Sequence, residues 1–171
     1  MAEHTTILFI ADIVGRNGLE TVQKRLETLL AEMDVDLIVA NGENLHNGLG
    51  ITPSLATQCF EMGIDVLTGG NHIWNQSHIR KFLNKTDRLL RPINYPEGTP
   101  GKGSTLVQGR NGQAVGVINV QGRTFMYPIN DPFRQTMEEA KRLRVHTPIV
   151  LVDFDAEATA EKVALGRYLD G

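Results

Sequence analysis

Apolar segments alternate with helical patterns in the first half of the chain, and this alternation restricts the fold more than any other feature. A continuous apolar run covers residues 5–11, and apolar residues then recur at helical spacing over 19–33. Further apolar segments cover 37–40 and 65–68, and Pro53 between them is typical of the first turn of a helix. This order predicts a parallel sheet with right-handed crossover connections. The first run has no polar alternation, so we expect its strand to be buried on both faces.

The second half has a different pattern. An irregular loop with three prolines and three glycines is expected over 91–103, and Asn111-Gly112 predicts a hairpin turn between two strands. The remaining predicted elements are a helix at 77–83, the hairpin strands at 105–108 and 114–120, a helix from Pro132 to about Arg144, a buried strand at 148–153 and a helix at 158–169. No composition shift marks a boundary, so we expect a single domain over residues 1–171.

Composition limits the classes of function. The formal net charge of −3 gives no basic surface for duplex nucleic acid, although a small nucleotide could bind locally. The one cysteine, Cys59, excludes an internal disulfide and lies in an apolar helical pattern, which predicts a core position. No segment is long and apolar enough to span a membrane, so we expect a cytoplasmic protein without a membrane partner.

Polar side chains follow the predicted strands where each strand ends. Asp12 follows the first strand, Glu43 and Asn44 the second, and Asn71 and His72 the third. Asp153 and Asp155 stand at the end of the late strand. Carboxyl ends of parallel strands open onto one crevice, so these groups should converge. Each residue alone is compatible with an ordinary turn or helix cap. Together, carboxylates, an amide oxygen and imidazole suit Mn, Fe or Zn, and their charge predicts bound cations.

The same residues resemble the two-metal site of the calcineurin-like metallophosphoesterase superfamily. Two departures from its common pattern, Asp12-Ile13-Val14 after the first strand and Glu43 in place of an aspartate, match the YmdB-like 2′,3′-cyclic nucleotide phosphodiesterases. Further matching segments include Leu8-Phe9-Ile10, Asn41-Gly42-Glu43-Asn44, Gly50-Ile51-Thr52-Pro53, Gly70-Asn71-His72-Ile73-Trp74, Val152-Asp153-Phe154 and Tyr168-Leu169-Asp170-Gly171. The resemblance covers essentially the whole chain and implies a layered α-β-β-α metallophosphoesterase-like fold, incomplete at its C-terminal end.

The resemblance also implies a role for each matched residue. Asp12, Glu43, Asn44 and Asn71 correspond to ligands of two divalent transition metal ions (Fe, Mn or Zn), with Glu43 bridging them. His72 would not bind metal but would protonate the leaving oxygen of a small cyclic nucleotide or other phosphodiester substrate. Such cations polarise the phosphate and make hydroxide at neutral pH.

Two departures lead to further expectations. Asp155 stands where the family has a histidine ligand, and it could still bind a hard cation. The family continues with a Gly-x-His-x-His motif that this chain lacks, so reduced metal occupancy and poor turnover are expected. The alternatives are an inactive metal- or nucleotide-binding protein and a fragment of a longer enzyme. The shortened sheet should expose an apolar edge, which predicts a homo-oligomer.

Several other side chains leave two interpretations open. Arg16 could contact a phosphate or lie free in an exposed loop, and His46 could be a ligand or a loop residue. Trp74 and Phe125 could each stack on a base, or pack in the core or at the rim of the site. His4, His78 and His146 are expected at the surface.

Overall fold

Two β-sheets pack face to face at the centre of the fold, seen here in a computed structural model that describes residues 4–170. The first sheet is parallel and has the order β1 (Ile7–Ile10), β2 (Leu37–Asn41), β3 (Val66–Thr68) and β4 (Leu89–Leu90). The second contains β5 (Ser104–Gln108), β6 (Ala114–Gln121) and β7 (Val150–Asp155). In it, β5 and β6 are antiparallel, whereas β6 and β7 are parallel.

Helices cover the outer face of each sheet. The helices α1 (Gly15–Glu32), α2 (Pro53–Glu61) and α3 (Ile79–Leu83) share a core cluster with the first sheet. On the other side, α4 (Pro132–Arg144) packs against β6, and α5 (Thr159–Leu169) lies beside α4. This is the α-β-β-α arrangement that the resemblance implies.

Side-chain alternation in β2 explains why the sheets stack. Ile38 and Ala40 belong to the cluster beneath the helices, whereas Leu37 and Val39 join the cluster between the sheets. Successive strand residues point to opposite faces, so an unbroken apolar strand covers both. Each of these side chains is fully buried, and burying one Leu, Ile or Val side chain is worth roughly 1.5–3 kcal/mol.

Two strands are less buried than predicted. The first strand was expected to be buried on both faces, but β1 is half-buried and Phe9 is 38% exposed. The predicted buried strand at 148–153 is shifted to β7, and all its residues are half-buried. The reason is position, because within residues 4–170 β1 pairs only with β2, and β7 only with β6.

Most other predicted elements agree with the structure. The predicted hairpin forms between β5 and β6, and Gly112 in its turn has φ 79°. Cys59 is buried in α2. The helix predicted at 77–83 is shorter, since α3 begins at Ile79. Within residues 4–170, no helix combines the length and apolarity needed to cross a membrane.

Candidate functional site

The carboxyl ends of the first three strands bring the predicted residues to one edge of the first sheet. The strand register pairs Ile10 with Ala40 and Asn41 with Thr68, so the segments that follow these strands begin side by side. The end of β7 reaches the same edge, where the backbone N–H of Asn71 donates to Asp155 Oδ2 at 2.8 Å.

Asn44 links three predicted site residues. Its Nδ2 donates to both carboxylate oxygens of Asp12, at 3.0 and 3.1 Å, and lies 3.2 Å from Glu43 Oε1. Its Oδ1 lies 2.7 Å from His72 Nδ1. The carboxylates fix the amide orientation, since only the nitrogen can donate to them. The amide oxygen only accepts, so the proton in the contact belongs to His72 Nδ1 and leaves Nε2 free for other chemistry.

Glu43 is buried, and one of its oxygens has no partner. Oε2 is completely covered and has no hydrogen-bond partner among the described residues. Burial, followed by the nearby charges of Asp155 and Asp12, raises the pKa of Glu43 to about 8. A carboxylate held under these conditions is destabilised unless a proton or a cation neutralises it.

A second acidic pair lies at the end of β7. Asp153 Oδ2 accepts hydrogen bonds from Asn41 Nδ2 and Thr68 Oγ1. Burial raises the pKa of Asp153 despite these bonds, and burial also raises the pKa of Asp155. Asp153 is therefore held by two polar side chains, Asn41 and Thr68, that were not predicted as site residues.

Gly70 allows the carboxylates to approach the turn after β3. A Cβ atom on Gly70 would lie 1.7 Å from Glu43 Oε2 and 2.5 Å from Asp155 Oδ2. The φ of Gly70 is −166°, which any residue adopts, so the need for glycine is steric. A 3₁₀ turn, Asn71–Trp74, begins at the next residue and carries Asn71 and His72.

Asn119 in β6 holds this turn from the second sheet. Its Nδ2 donates to Gly69 O at 3.0 Å, and its Oδ1 accepts from Gly69 N at 3.2 Å. Asn119 was not predicted as a site residue, although an asparagine inside the apolar strand Val117-Ile118-Asn119-Val120 is a recognisable signal. A buried amide in a strand needs partners, and here they belong to the site.

The donor set suits a divalent cation. A cleft of about 260 Å³ is lined by Asp12, Glu43, Asp155 and Lys162, among others. The unpartnered Glu43 oxygen and the raised pKa values of Glu43 and Asp155 both indicate that ionising these carboxyl groups is unfavourable unless a cation offsets their charge. In their present arrangement, however, the residues from 4 to 170 include no group of three His, Cys, Asp or Glu side chains that could hold a metal. Two of the five predicted ligands, Asn44 and Asn71, are amides.

Other polar residues lie elsewhere. His46 and Arg16 line a separate cavity of about 550 Å³ beside α1 and α2. Arg16 is exposed, as one interpretation predicted, but it lies in α1 rather than in a loop and pairs with Glu20 at 2.7 Å. His4, His78 and His146 are exposed, as expected.

Comparisons with known proteins identify relatives of the chain. It is 43% identical over 165 residues to the 2′,3′-cyclic-nucleotide 2′-phosphodiesterase of Bacillus subtilis strain 168, and the match covers 96% of this chain. A hypothetical protein from Thermus thermophilus superposes with a TM-score of 0.84 at 38% identity, covering 96% of this chain and 63% of that one. A structure from Mycoplasma pneumoniae described as a novel phosphatase superposes with a TM-score of 0.88 at 26% identity, covering 100% of this chain and 62% of that one.

The chain spans 62% of the length of the Bacillus subtilis relative. Residues 8–171 match the model of a family described as YmdB-like protein. That match covers more than nine-tenths of the sequence and includes both sheets and the helices that cover them. The chain therefore belongs to the YmdB-like protein family.

Proposed function

We propose that this chain carries the acidic and histidine groups of a metal-dependent phosphodiesterase site that hydrolyses cyclic nucleotides. The observation that carries the proposal is the hydrogen-bonded array in which Asn44 joins Asp12, Glu43 and His72. It combines acidic side chains, one of which ionises only with difficulty in the absence of a cation, with an imidazole whose Nε2 is free. That combination suits hydrolysis better than simple ligand storage.

Five residues are the proposed metal ligands. They come from four separate segments: Asp12, Glu43, Asn44, Asn71 and Asp155. In the present arrangement Asn44 turns its Nδ2 towards Asp12 and Glu43 and its Oδ1 towards His72, so its amide would have to turn over to offer oxygen to a cation beside those carboxylates. We infer two divalent transition metal ions, with Fe, Mn or Zn as candidates. When bound, such cations polarise a phosphate and activate water as the nucleophile. The unpartnered Oε2 of Glu43 supports its place among the ligands.

His72 is the proposed general acid. Asn44 holds its Nδ1–H, which fixes the ring and directs Nε2 away from the amide. A proton on Nε2 can pass to the leaving oxygen of the phosphodiester as the bond from that oxygen to phosphorus breaks. Imidazole is suited to this role because it exchanges protons near neutral pH.

The substrate class follows from the relative with the named activity. The Bacillus subtilis protein is a 2′,3′-cyclic-nucleotide 2′-phosphodiesterase. We infer the same class of small cyclic phosphodiester for this chain. In such a ring the leaving group is a ribose hydroxyl oxygen, which needs a proton as it leaves and so fits the role given to His72.

The test is hydrolysis of a 2′,3′-cyclic mononucleotide in the presence of manganese. His72→Ala should lower the turnover rate by roughly 10²–10⁴-fold, the usual contribution of a general acid, while leaving manganese affinity nearly unchanged. Glu43→Gln should instead weaken manganese binding, measured by titration, because it removes the buried negative charge.

His78→Ala is the matched control, because His78 is an exposed histidine outside the cleft and should behave like the unmodified protein. Equal turnover in the His72 and His78 variants would remove His72 from the mechanism. Unchanged manganese affinity in Glu43→Gln would remove Glu43 from the ligand set.

A further inference from the structure

A second cavity adjoins the proposed site at Asn71. It has a volume of about 540 Å³ and is lined by Asn71, Phe125, Met126, Tyr127, Pro128 and Glu157. Asn71 therefore takes part in the acidic site through its contact with Asp155 and also forms part of this cavity wall. A ligand whose phosphate occupies the acidic cleft could extend its remaining part into this space.

Two aromatic side chains in the cavity wall are unusually exposed. Phe125 is 90% exposed and Tyr127 is 79% exposed. Leaving large apolar rings in water forgoes the stabilisation that burial would give. Trp74 differs, because it is partly buried and its ring meets Tyr95 edge to face at 5.2 Å. Of the two residues that the sequence suggested for stacking, Trp74 is therefore a packing residue and Phe125 is available.

Phe125 also has an unfavourable backbone conformation. Its φ is 63°, in the left-handed region that favours glycine. It lies in a tight turn closed by a hydrogen bond of 3.1 Å from Met126 N–H to Arg123 O. A residue in this region costs on the order of 1–3 kcal/mol, so the surrounding structure must hold it there.

The turn belongs to the loop that connects β6 to α4, residues 122–131. The first end of this loop is hydrogen bonded to α5 and β7. The carboxylate of Glu161 accepts hydrogen bonds from Arg123 N–H at 3.0 and 3.2 Å and from Thr124 N–H at 3.1 Å. Gly122 N–H donates to Asp155 O at 2.7 Å. A Cβ on Gly122 would lie 2.6 Å from Glu161 Oε2, so glycine allows this close anchoring. The loop is thus tied to the strand that carries Asp155.

The other end of the loop is held by Asn94, a fully buried residue. Asn94 Nδ2 donates to Asn130 O at 3.1 Å and to Gln121 O at 2.7 Å, and Asn94 Oδ1 accepts from Gln121 N at 3.0 Å. The backbone N–H of Asn130 also donates to Asn94 O at 3.1 Å. With both ends fixed, the backbone of the strained turn holds Phe125 at the cavity wall without any ligand.

We propose that Phe125 is a stacking platform for the base of the nucleotide whose phosphodiester lies at Asp12 and Glu43, with Tyr127 as a second aromatic contact. This inference rests on the proposed function for the class of ligand. An exposed aromatic side chain on an anchored backbone beside the acidic cleft can offer its ring face to a base, and stacking is tolerant of base identity. Glu157 in the same wall disfavours a phosphate there, but it can accept hydrogen bonds from amino groups of a base. Purines should bind more tightly than pyrimidines because their stacking surface is larger.

The test compares two ligands that share a phosphate on a secondary alcohol but differ in the base. Isothermal titration should show that Phe125→Ala weakens binding of adenosine 3′-monophosphate by roughly tenfold and leaves binding of glycerol 2-phosphate unchanged. Leu106→Ala, at an exposed apolar residue of β5 outside this cavity, is the control and should leave both affinities unchanged. Equal effects of Phe125→Ala on the two ligands, or no effect on either, would overturn the proposal.

Phe125→Gly separates stacking from folding. Glycine relieves the positive φ, so this variant should melt at a temperature equal to or above that of the unmodified protein, yet lose the same affinity for adenosine 3′-monophosphate as Phe125→Ala. A variant that keeps the affinity would show that the ring does not contact the base.

Hydrolysis of adenosine 2′,3′-cyclic monophosphate distinguishes the two proposals. If the protein hydrolyses this nucleotide with the same KM in the unmodified and Phe125→Ala forms, the stacking platform is wrong and the phosphodiesterase proposal stands. If the base-dependent binding is present but the nucleotide is not hydrolysed, the platform stands and the phosphodiesterase proposal fails.

Discussion

Glu43 is the residue whose ionisation most affects the site. Its pKa of about 8 exceeds the ordinary value of 4.5, because burial and then the charges of Asp155 and Asp12 oppose deprotonation. The folded protein therefore holds a proton over a pH range in which the unfolded chain has released it. A bound cation would replace that proton, so metal binding should release protons and strengthen as pH rises.

The direction of the effect on stability follows from linkage. A carboxyl group whose pKa is raised in the folded state stabilises the fold fully below pH 4.5, and this stabilisation is lost as pH rises through about 8. We expect the free energy of unfolding of the metal-free protein to fall over this range, and Glu43→Gln to reduce the fall, because glutamine stays neutral. The pKa values of Asp153 and Asp155 are also raised, so part of the decrease in stability with pH should remain in this variant.

Urea denaturation in the presence of a chelator, repeated between pH 5 and about pH 9, measures this slope directly. The Glu43→Gln protein should be the more stable of the two at the alkaline end. The same pH dependence in both proteins would show that Glu43 ionises normally.

At the scale of elements, the Gly69-Gly70 segment between β3 and the 3₁₀ turn determines how closely the carboxylates approach the backbone. Gly70→Ala places a methyl group 1.7 Å from Glu43 Oε2, so the carboxylate or the turn must move. We expect a loss of roughly 1–3 kcal/mol in the free energy of unfolding, as for other overpacked sites, together with weaker manganese binding.

Gly166→Ala provides the matched glycine control for that experiment. Gly166 lies within α5, and a Cβ there would meet no atom within 4 Å. Alanine should raise stability by about 0.5–1 kcal/mol and leave manganese affinity unchanged. If Gly70→Ala behaved like Gly166→Ala, the close approach at the turn would not matter for the site.

Strand positions could be predicted from the sequence because they depend on local apolar runs. The placement of Asp12, Glu43 and Asn71 at one edge needed only the rule that parallel strands end together. Which strands lie outermost in a sheet could not be predicted in this way. The exposure of Phe9 in β1 depends on which strands lie beside it, and the two-residue β4 is too short to leave a pattern.

The supporting residues of the site were less predictable than its proposed ligands. Asn119 is distant in sequence from Gly69, and Asn41 is distant from Asp153, yet each pair is hydrogen bonded. Such contacts arise only when the second sheet packs on the first. The same holds for Phe125, whose exposure reflects how Glu161 and Asn94 hold its loop.

For the whole molecule, function depends on how the two sheets are held together. Apolar side chains such as Val39 and Val117 fill the space between them, but these contacts have no directional preference. The polar contacts of Asn119 with Gly69 and of Asn41 with Asp153 are directional and lie at the end of the interface nearest the site. Homo-oligomerisation, a cytoplasmic location, reduced metal occupancy and poor turnover, all expected from the sequence, stay predictions.

Asn119→Ala tests whether this link positions the site. The substitution removes both hydrogen bonds between the Asn119 side chain and Gly69, although Gly69 N–H keeps Leu90 O as an acceptor at 2.9 Å. At roughly 0.5–1.5 kcal/mol for each bond, the loss should lower the free energy of unfolding by about 1–3 kcal/mol. It should also weaken manganese binding, although Asn119 is not a proposed ligand, because the turn that carries Asn71 and His72 loses its support from β6. Thr136→Val is the control. Thr136 is equally buried, and among residues 4–170 its hydroxyl donates only to Pro132 O within α4, so removing that hydroxyl should affect stability without affecting manganese affinity. Urea denaturation of both variants measures the free energy of unfolding, and manganese titration measures the metal affinity. Unchanged manganese affinity in Asn119→Ala would mean that the turn stays in place without β6, and that the second sheet serves the site only through β7.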